Sequence, residues 1–400
     1  MKFKILSIIV LSTVMMSIFA AGTVQAAKPI AVIFAKGSLQ ADKQLAAMVT
    51  DFPWVEWRVV LAELKPANLT GASFLLMVNI DSSQTYSDSE VAAVKAWYTT
   101  GGKTVWISGD SDFPPNDVKR QGSANKVLEA LGSRLRMESA AVEDPTSMAD
   151  APYRVLGVSD VCDDPMKFLV AGVERALFHG PGPVVGYIGG KYTSLETSST
   201  DGLYKIMSSD ANGVLKDNDA TVAPQVHKLD VTGRLTLMAF DFDYANKNLV
   251  IATGEAPIAQ YQGLYKPELM DPVRYGTKYP TQGTRLFDNI LTFSLANKNQ
   301  WCEAQAMIAT KSAQVSTLEG QVKSLTADKT TLQGQVTTLT TDKTNLTTDK
   351  TNLQGQVTKL QGDVTTANSN TSTWQMAAIG MLIAGLVVGI FAGPMILKKK

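Results

Sequence analysis

"SDSEVAAVKAWYTTGGKTVWISGDSD", residues Ser87 to Asp112, is the stretch on which the fold turns. A serine and an aspartate open a run with helical spacing, and a pair of glycines stops it. A short apolar run follows, "KTVWIS", and ends in a cluster of acids. Helix, stop, buried strand and polar edge is the grammar of a sheet covered on both faces.

The same grammar extends in both directions. Before it, "IAVIFA" reads as a buried strand, "SLQADKQLAAMVTDF" as a helix, and "WRVVLA" and "FLLMVNI" as further strands. After it, "SANKVLEALGSRL" is a second helix. Strands alternating with helices predict an α/β fold with a mostly parallel sheet flanked by helices. From about 150 to 300 the runs "ALFHGPGPVVGYI", "RLTLMAFDFDY" and "NLVIATGEAP" are richer in glycine, proline and β-type residues, and predict an antiparallel elaboration that completes the sheet. The helix "GTRLFDNILTFSLAN" closes this region.

The quoted stretch with "SANKVLEALGSRLRM", the late "KNLVIATGEAPIAQYQG" and the final "TRLFDNILTF" resembles class I glutamine amidotransferase-like domains, in their non-catalytic surface-protein branch. The resemblance covers most of residues 28 to 297 and implies a flavodoxin-like sheet. Catalytic members carry a cysteine on a sharp turn after a strand, with a downstream His-Glu pair. Here the matching turn is Gly109-Asp110-Ser111, without cysteine, and the chain holds two histidines, His179 and His227, with no motif beside them. A serine hydrolase built on Ser108 or Ser111 is the enzymatic alternative; the expectation is no enzyme and no cofactor.

Ligand sites in such sheets lie beyond the carboxyl ends of strands, which points to Asp110, Asp112 and Asp117. With Asp241 and Asp243 of "AFDFDYANKN" these are oxygen donors of the kind calcium takes, but a calcium loop with its glycine and final glutamate is absent, so no metal is expected. A small-molecule pocket at that edge is a third reading. Cys162 and Cys302 are the two cysteines of the chain, and outside the cell an even count suggests a disulfide, either between the two or between Cys302 residues of two copies.

The last hundred residues follow a different rule. No aromatic residue or proline lies between Trp301 and Trp374. Leu318, Leu325, Leu332, Leu339, Leu346, Leu353 and Leu360 recur at strict seven-residue spacing, a d-position register. The a positions carry valine, except Lys329, Lys343 and Lys350, each preceded by an aspartate. Valine at a with leucine at d favours a parallel dimer of identical chains, with a trimer as the alternative, and lysine layers set register. Gly320, Gly334, Gly355 and Gly362 fall on the outward f position, so association rather than propensity must hold the helix. Residues 302 to 373 are expected to form a coiled-coil stalk reaching about 100 Å.

Both ends predict a membrane context. Lys2 and Lys4, an apolar run and Val24-Gln25-Ala26 read as a signal peptide over 1 to 26, with an uncleaved anchor as the alternative. Residues 374 to 397 are uncharged after the boundary Trp374 and precede lysines 398 to 400, a transmembrane helix with a cytoplasmic end; a lipid-anchor signal competes with it. Gly385, Gly389 and Gly393 share one face of that span, spaced for helix packing. The α/β region, 28 to 300, is then extracellular, and Asn68, Asn345 and Asn370 head glycosylation triplets. Zero formal net charge gives no electrostatic reason for a nucleic-acid partner. This order of parts resembles the stalk proteins that tether archaeal surface layers, which implies an oligomeric, structural role with a surface-layer or envelope partner. A receptor for a solute or glycan is the competing class.

Overall fold

The computed structural model describes residues 27–36, 43–79, 83–115, 117–258, 263–269, 279–370 and 380–384. The expected signal peptide, the membrane glycines Gly385, Gly389 and Gly393, and all of 374–397 except 380–384 lie outside them. Among the described residues, no helix is long and apolar enough to cross a membrane.

The first compact unit runs to Ala309. Its opening half contains β1 (Ile30–Lys36), α1 (Lys43–Asp51), β2 (Glu56–Val60), β3 (Ala72–Asn79), α2 (Asp88–Tyr98), β4 (Thr104–Ser108) and α3 (Asp117–Ala130). Then come β5 (Leu135–Met137), β6 (Ala141–Glu143), β7 (Arg154–Val158), β8 (Arg175–His179), β9 (Val184–Ile188), β10 (Lys191–Thr193), β11 (Leu203–Ser208), β12 (Val214–Lys216), β13 (Thr236–Asp243) and β14 (Asn248–Thr253). A nine-stranded sheet has the order β2-β1-β3-β4-β14-β13-β11-β7-β8. Its first five strands are parallel. From β14 onward every pairing is antiparallel. The quoted stretch therefore sits in the parallel half, and the Gly/Pro-rich second half builds the antiparallel one. Two small antiparallel sheets, β10-β9-β5 and β12-β6, complete the unit.

β4 shows why the residues alternate as they do. All five are buried, Val105 and Ile107 on one face and Trp106 on the other. Alternate side chains of a strand point to opposite faces, so a strand covered twice needs a continuous apolar run. Val91, Val94 and Trp97 of α2, with Val127 and Leu128 of α3, cover the first face. Met48 of α1 and Leu286, Phe287, Ile290 and Leu291 of α4 (Gly283–Thr292) cover the second. Trp106 stacks on Phe287 at 5.4 Å, and its Nε1–H donates to Thr253 Oγ1 at 2.9 Å.

α2 starts where Ser87 predicts, and its cap is reciprocal. Ser87 Oγ accepts from Glu90 N at 3.2 Å, while the Glu90 carboxylate accepts from Ser87 N at 2.7 Å. Glu90 also takes Lys36 Nζ at 2.6 Å, which fixes the end of β1 to the start of α2. The helix stops at Gly101 and Gly102, with φ of +81° and +69°. A Cβ on Gly101 would come within 3.0 Å of Asn246 O.

After α4 and a π-helical turn, Phe293–Asn297, the helix α5 runs from Lys298 to Asn370. Its first turns belong to the first unit: Lys298 is buried and donates to Lys247 O at 2.6 Å, and Cys302 is buried. The second unit, from Thr310, contains the leucine row, which is solvent-facing in the single chain.

The expected disulfide is absent. Cys162 and Cys302 are free thiols inside the same apolar cluster. Cys162 Sγ lies 3.7 Å from Asp163 O. Burial pushes the Cys162 thiol up to about 12 and the Cys302 thiol up to about 11. Cys302 exposes no surface at all, so a bridge to a second copy is equally blocked.

Candidate functional site

The parallel strands all end on one side, and β4 delivers the segment 109–115 to that edge before α3 begins. Asp110, the second residue after β4, is 3 % exposed. Its carboxylate accepts from Ser111 N at 2.8 Å and from Arg120 Nη1, one turn into α3. The same guanidinium nitrogen reaches Asp117 Oδ1 at 3.2 Å, and Ser111 Oγ donates to Asp117 Oδ2 at 3.4 Å. Burial raises Asp110, and the neighbouring Asp117 charge raises it further; Arg120 opposes both, and the net is a carboxyl pushed up to about 7. Burial raises Asp117 as well, again against Arg120.

Asp112 has a different task. It is fully buried and accepts from Asn218 N at 2.8 Å, Asn218 Nδ2 at 3.0 Å and Asp219 N at 3.3 Å. It clips the segment after β12 onto the edge of the main sheet. Asp110 and Asp117 face a cavity of about 440 Å³, and the clipped Asn218 forms part of its wall. Glu143 of β6, Tyr153 and His179 also line it, as does Phe113, which is 60 % exposed. His179 meets Tyr153 edge-on at 5.4 Å. Behind it, His179 N donates to the buried Glu255, whose carboxyl burial raises well above its ordinary value.

The structure separates residues that the sequence groups together. Ser108 is buried and donates to Met77 O at 2.7 Å, away from the cavity. Ser111 and His179, 68 residues apart, line the same cavity. Among the described residues the non-glycine positions with positive φ are Asp150, Asp230 and Lys247. The turn after β4 thus lacks the strained residue that holds a nucleophile at a sharp strand-to-helix elbow. Asp241 and Asp243 lie at the opposite edge, because β13 is antiparallel and Asp243 pairs with Asn248 at the start of β14. Asp241 is held by Arg134 at 2.6 Å and Ser133 Oγ at 2.9 Å, and Asp243 accepts from Asn246 Nδ2 at 2.7 Å. No group of three or more metal-ligating side chains is arranged for an ion among the described residues.

His227 lies outside the cavity, in a cluster that no sequence pattern announces. Its Nε2 meets Glu196 at 3.0 Å and its Nδ1 meets Glu138 at 2.5 Å. Glu138 also accepts from His227 N at 2.9 Å, and Glu196 accepts from Thr236 N at 2.7 Å. Burial alone would lower His227, but the two carboxylates outweigh it and raise the imidazole to about 9. Burial would likewise raise Glu196, whereas His227, Thr236 and Ser194 bring it down to about 2. An imidazolium between two carboxylates pins the segment 217–235 beside the cavity.

Of the expected glycosylation positions, Asn68 is half-buried. Asn68 Oδ1 accepts from Lys65 N at 2.8 Å in a short 3₁₀ turn. Asn345 is exposed on α5, and the side chain of Asn370 is outside the described residues.

No family model matches the sequence, and neither does any curated protein. Solved structures do match. The domain described as "mmIFT52 N-terminal domain" is 9 % identical, with a TM-score of 0.42, over 67 % of this chain and 98 % of its own. A putative ThuA-like protein from Bacteroides uniformis is 11 % identical, with a TM-score of 0.37, over 70 % and 96 %. A putative GMP synthase component from Thermoplasma acidophilum, of the amidotransferase-like fold, is 10 % identical, with a TM-score of 0.30, over 71 % and 98 %. These likenesses are too distant to assign an activity.

Proposed function

We propose that this chain is a homo-oligomeric, membrane-anchored surface protein that holds its α/β unit outside the membrane on a coiled-coil stalk, in a structural, envelope-anchoring role. The observation that carries the reading is the unpartnered leucine row. From Leu318 to Leu346 the d-position leucines are 58–69 % exposed in the single chain, and Val315, Val322 and Val336 are 52–62 % exposed. Fully burying one such side chain contributes about 1.5–3 kcal/mol. A helix with four glycines and threonines bonded back to their own backbone, as Thr326 Oγ1 is to Val322 O at 2.7 Å, needs that contribution to persist. The membrane part rests on residues 1–26 and 374–400 as read from sequence, and the surface-layer partner rests on the order of parts. Imaging envelopes with and without the protein tests the role: a lost or irregular layer-to-membrane spacing supports it, and an unchanged envelope removes it.

The cavity beside Asp110 favours a second reading, in which the α/β unit binds a small polar solute or glycan. Thermal-shift screening of the full chain against sugars and amino acids tests it. A stabilising ligand whose effect Glu143→Lys abolishes supports it; no shift across the panel counts against it.

A further inference from the structure

The three lysines in the leucine row carry more information than a general preference for two strands. Lys343 lies fourteen residues after Lys329 and seven before Lys350, so the intervals between any two of the three are all different. The residue before each is aspartate (Asp328, Asp342, Asp349), whereas Gln314, Gln321, Gln335 and Gln356 precede the valines at four of the other a positions. Every lysine at a thus has an acid at the preceding g, and at the fifth valine, Val364, the preceding residue is Asp363. Within one helix these charges do not serve each other. Neighbours i and i+1 point apart, and no opposite charge lies three or four residues from any of the six. A second helix packed on the row is what can bring a counter-charge to them.

We propose that Lys329, Lys343 and Lys350 act as a ruler that admits one arrangement of a second copy of this chain on the row: parallel and in register. This rests on the oligomeric reading above. In register, the three lysine layers coincide, and each lysine reaches the partner's aspartate at the preceding g position. A slip of one, two or three heptads aligns one lysine with a lysine and leaves the other two of each chain against apolar neighbours or past the matching layers. An antiparallel pair sets a against d, so every lysine would face leucine, and g against g, so the aspartates would lose their lysines. A lysine held against apolar side chains without a counter-charge is costly, and each wrong arrangement contains several.

Cysteine cross-linking of the full chain in detergent tests the proposal, since the native cysteines are buried. Leu339→Cys copies should form a disulfide with each other under mild oxidation. Leu339→Cys mixed with Leu346→Cys, on differently tagged chains, should form the mixed product roughly tenfold less. Changing all three lysines to valine should raise the melting temperature and bring the mixed product up to the level of the matched one. Equal matched and mixed products in the native row would overturn the ruler, as would a dimeric mass with no cross-link. A triple-valine chain that keeps strict register would overturn it too. A monomeric mass with no cross-link instead removes the oligomeric reading beneath it.

Discussion

At His227 two carboxylates grip both ring nitrogens, and the consequence is a pH window. The folded imidazole is raised to about 9 from an ordinary 6.5, so its contribution is complete below pH 6.5 and is lost as pH rises through 9. Glu196 is lowered to about 2 from an ordinary 4.5, so its contribution is complete above pH 4.5 and is lost as pH falls through 2. The cluster therefore stabilises most between pH 4.5 and 6.5. His227→Gln should cost about 3 kcal/mol in chemical denaturation at pH 6, and the difference from the native chain should shrink toward pH 9 and above. A constant difference across pH would refute the charged clamp. Asp112→Ala, which orphans the Asn218 and Asp219 amides, should cost about 1–3 kcal/mol and speed proteolysis within 217–233. Sequence made Asp110, Asp112 and Asp117 look alike because it shows residue type but not direction. Arg120 was hidden because the sequence reading began the helix at Ser123, whereas it begins at Asp117 and sets Arg120 three residues on; Glu138, Glu196 and His227 meet only through the tertiary fold.

Among the elements, those whose pattern is local were legible: β4 by its unbroken apolar run, α2 by Ser87 and the glycine pair, α5 by its seven-residue period. Of the small sheets, β9 falls in the run "ALFHGPGPVVGYI", but β5, β6, β10 and β12 were not legible, since three-residue strands have too few positions to show a period. The failed disulfide has the same origin, because cysteine count says nothing of where each thiol points. Glycine makes a prediction at this scale. A Cβ on Gly320, Gly334, Gly355 or Gly362 meets nothing within 4 Å, and all four take the outward f position of the row. Each change to alanine should stabilise α5 by about 0.5–1 kcal/mol, read as a higher midpoint in circular-dichroism melting without a change in oligomer mass. Gly101→Ala should do the opposite, because its φ is +81° and Asn246 O blocks the added carbon. A loss of stability at Gly334 or Gly355 would mean that the partner helix packs on that face instead of on the leucines.

For the whole molecule, the proposed role depends on length and phase together. α5 has 73 residues, about 110 Å at 1.5 Å each. Removing residues 353–366, two heptads that contain valine rather than lysine at a, keeps all three lysines, ends the leucine row at Leu346 and leaves the heptad phase of the following residues unchanged. Such a chain should remain a dimer, and the distance from the membrane to the α/β unit in envelope images should fall by about 21 Å. Removing four residues from the same place should do something different. The break in phase turns Val357, Leu360 and Val364 out of their seam positions, so cross-linking beyond the deletion should weaken although the chain is longer than in the first variant. If the spacing stays constant while α5 shortens, α5 does not set it. If both deletions behave alike, the leucine row is not a seam, and the exposed surface it presents needs another partner.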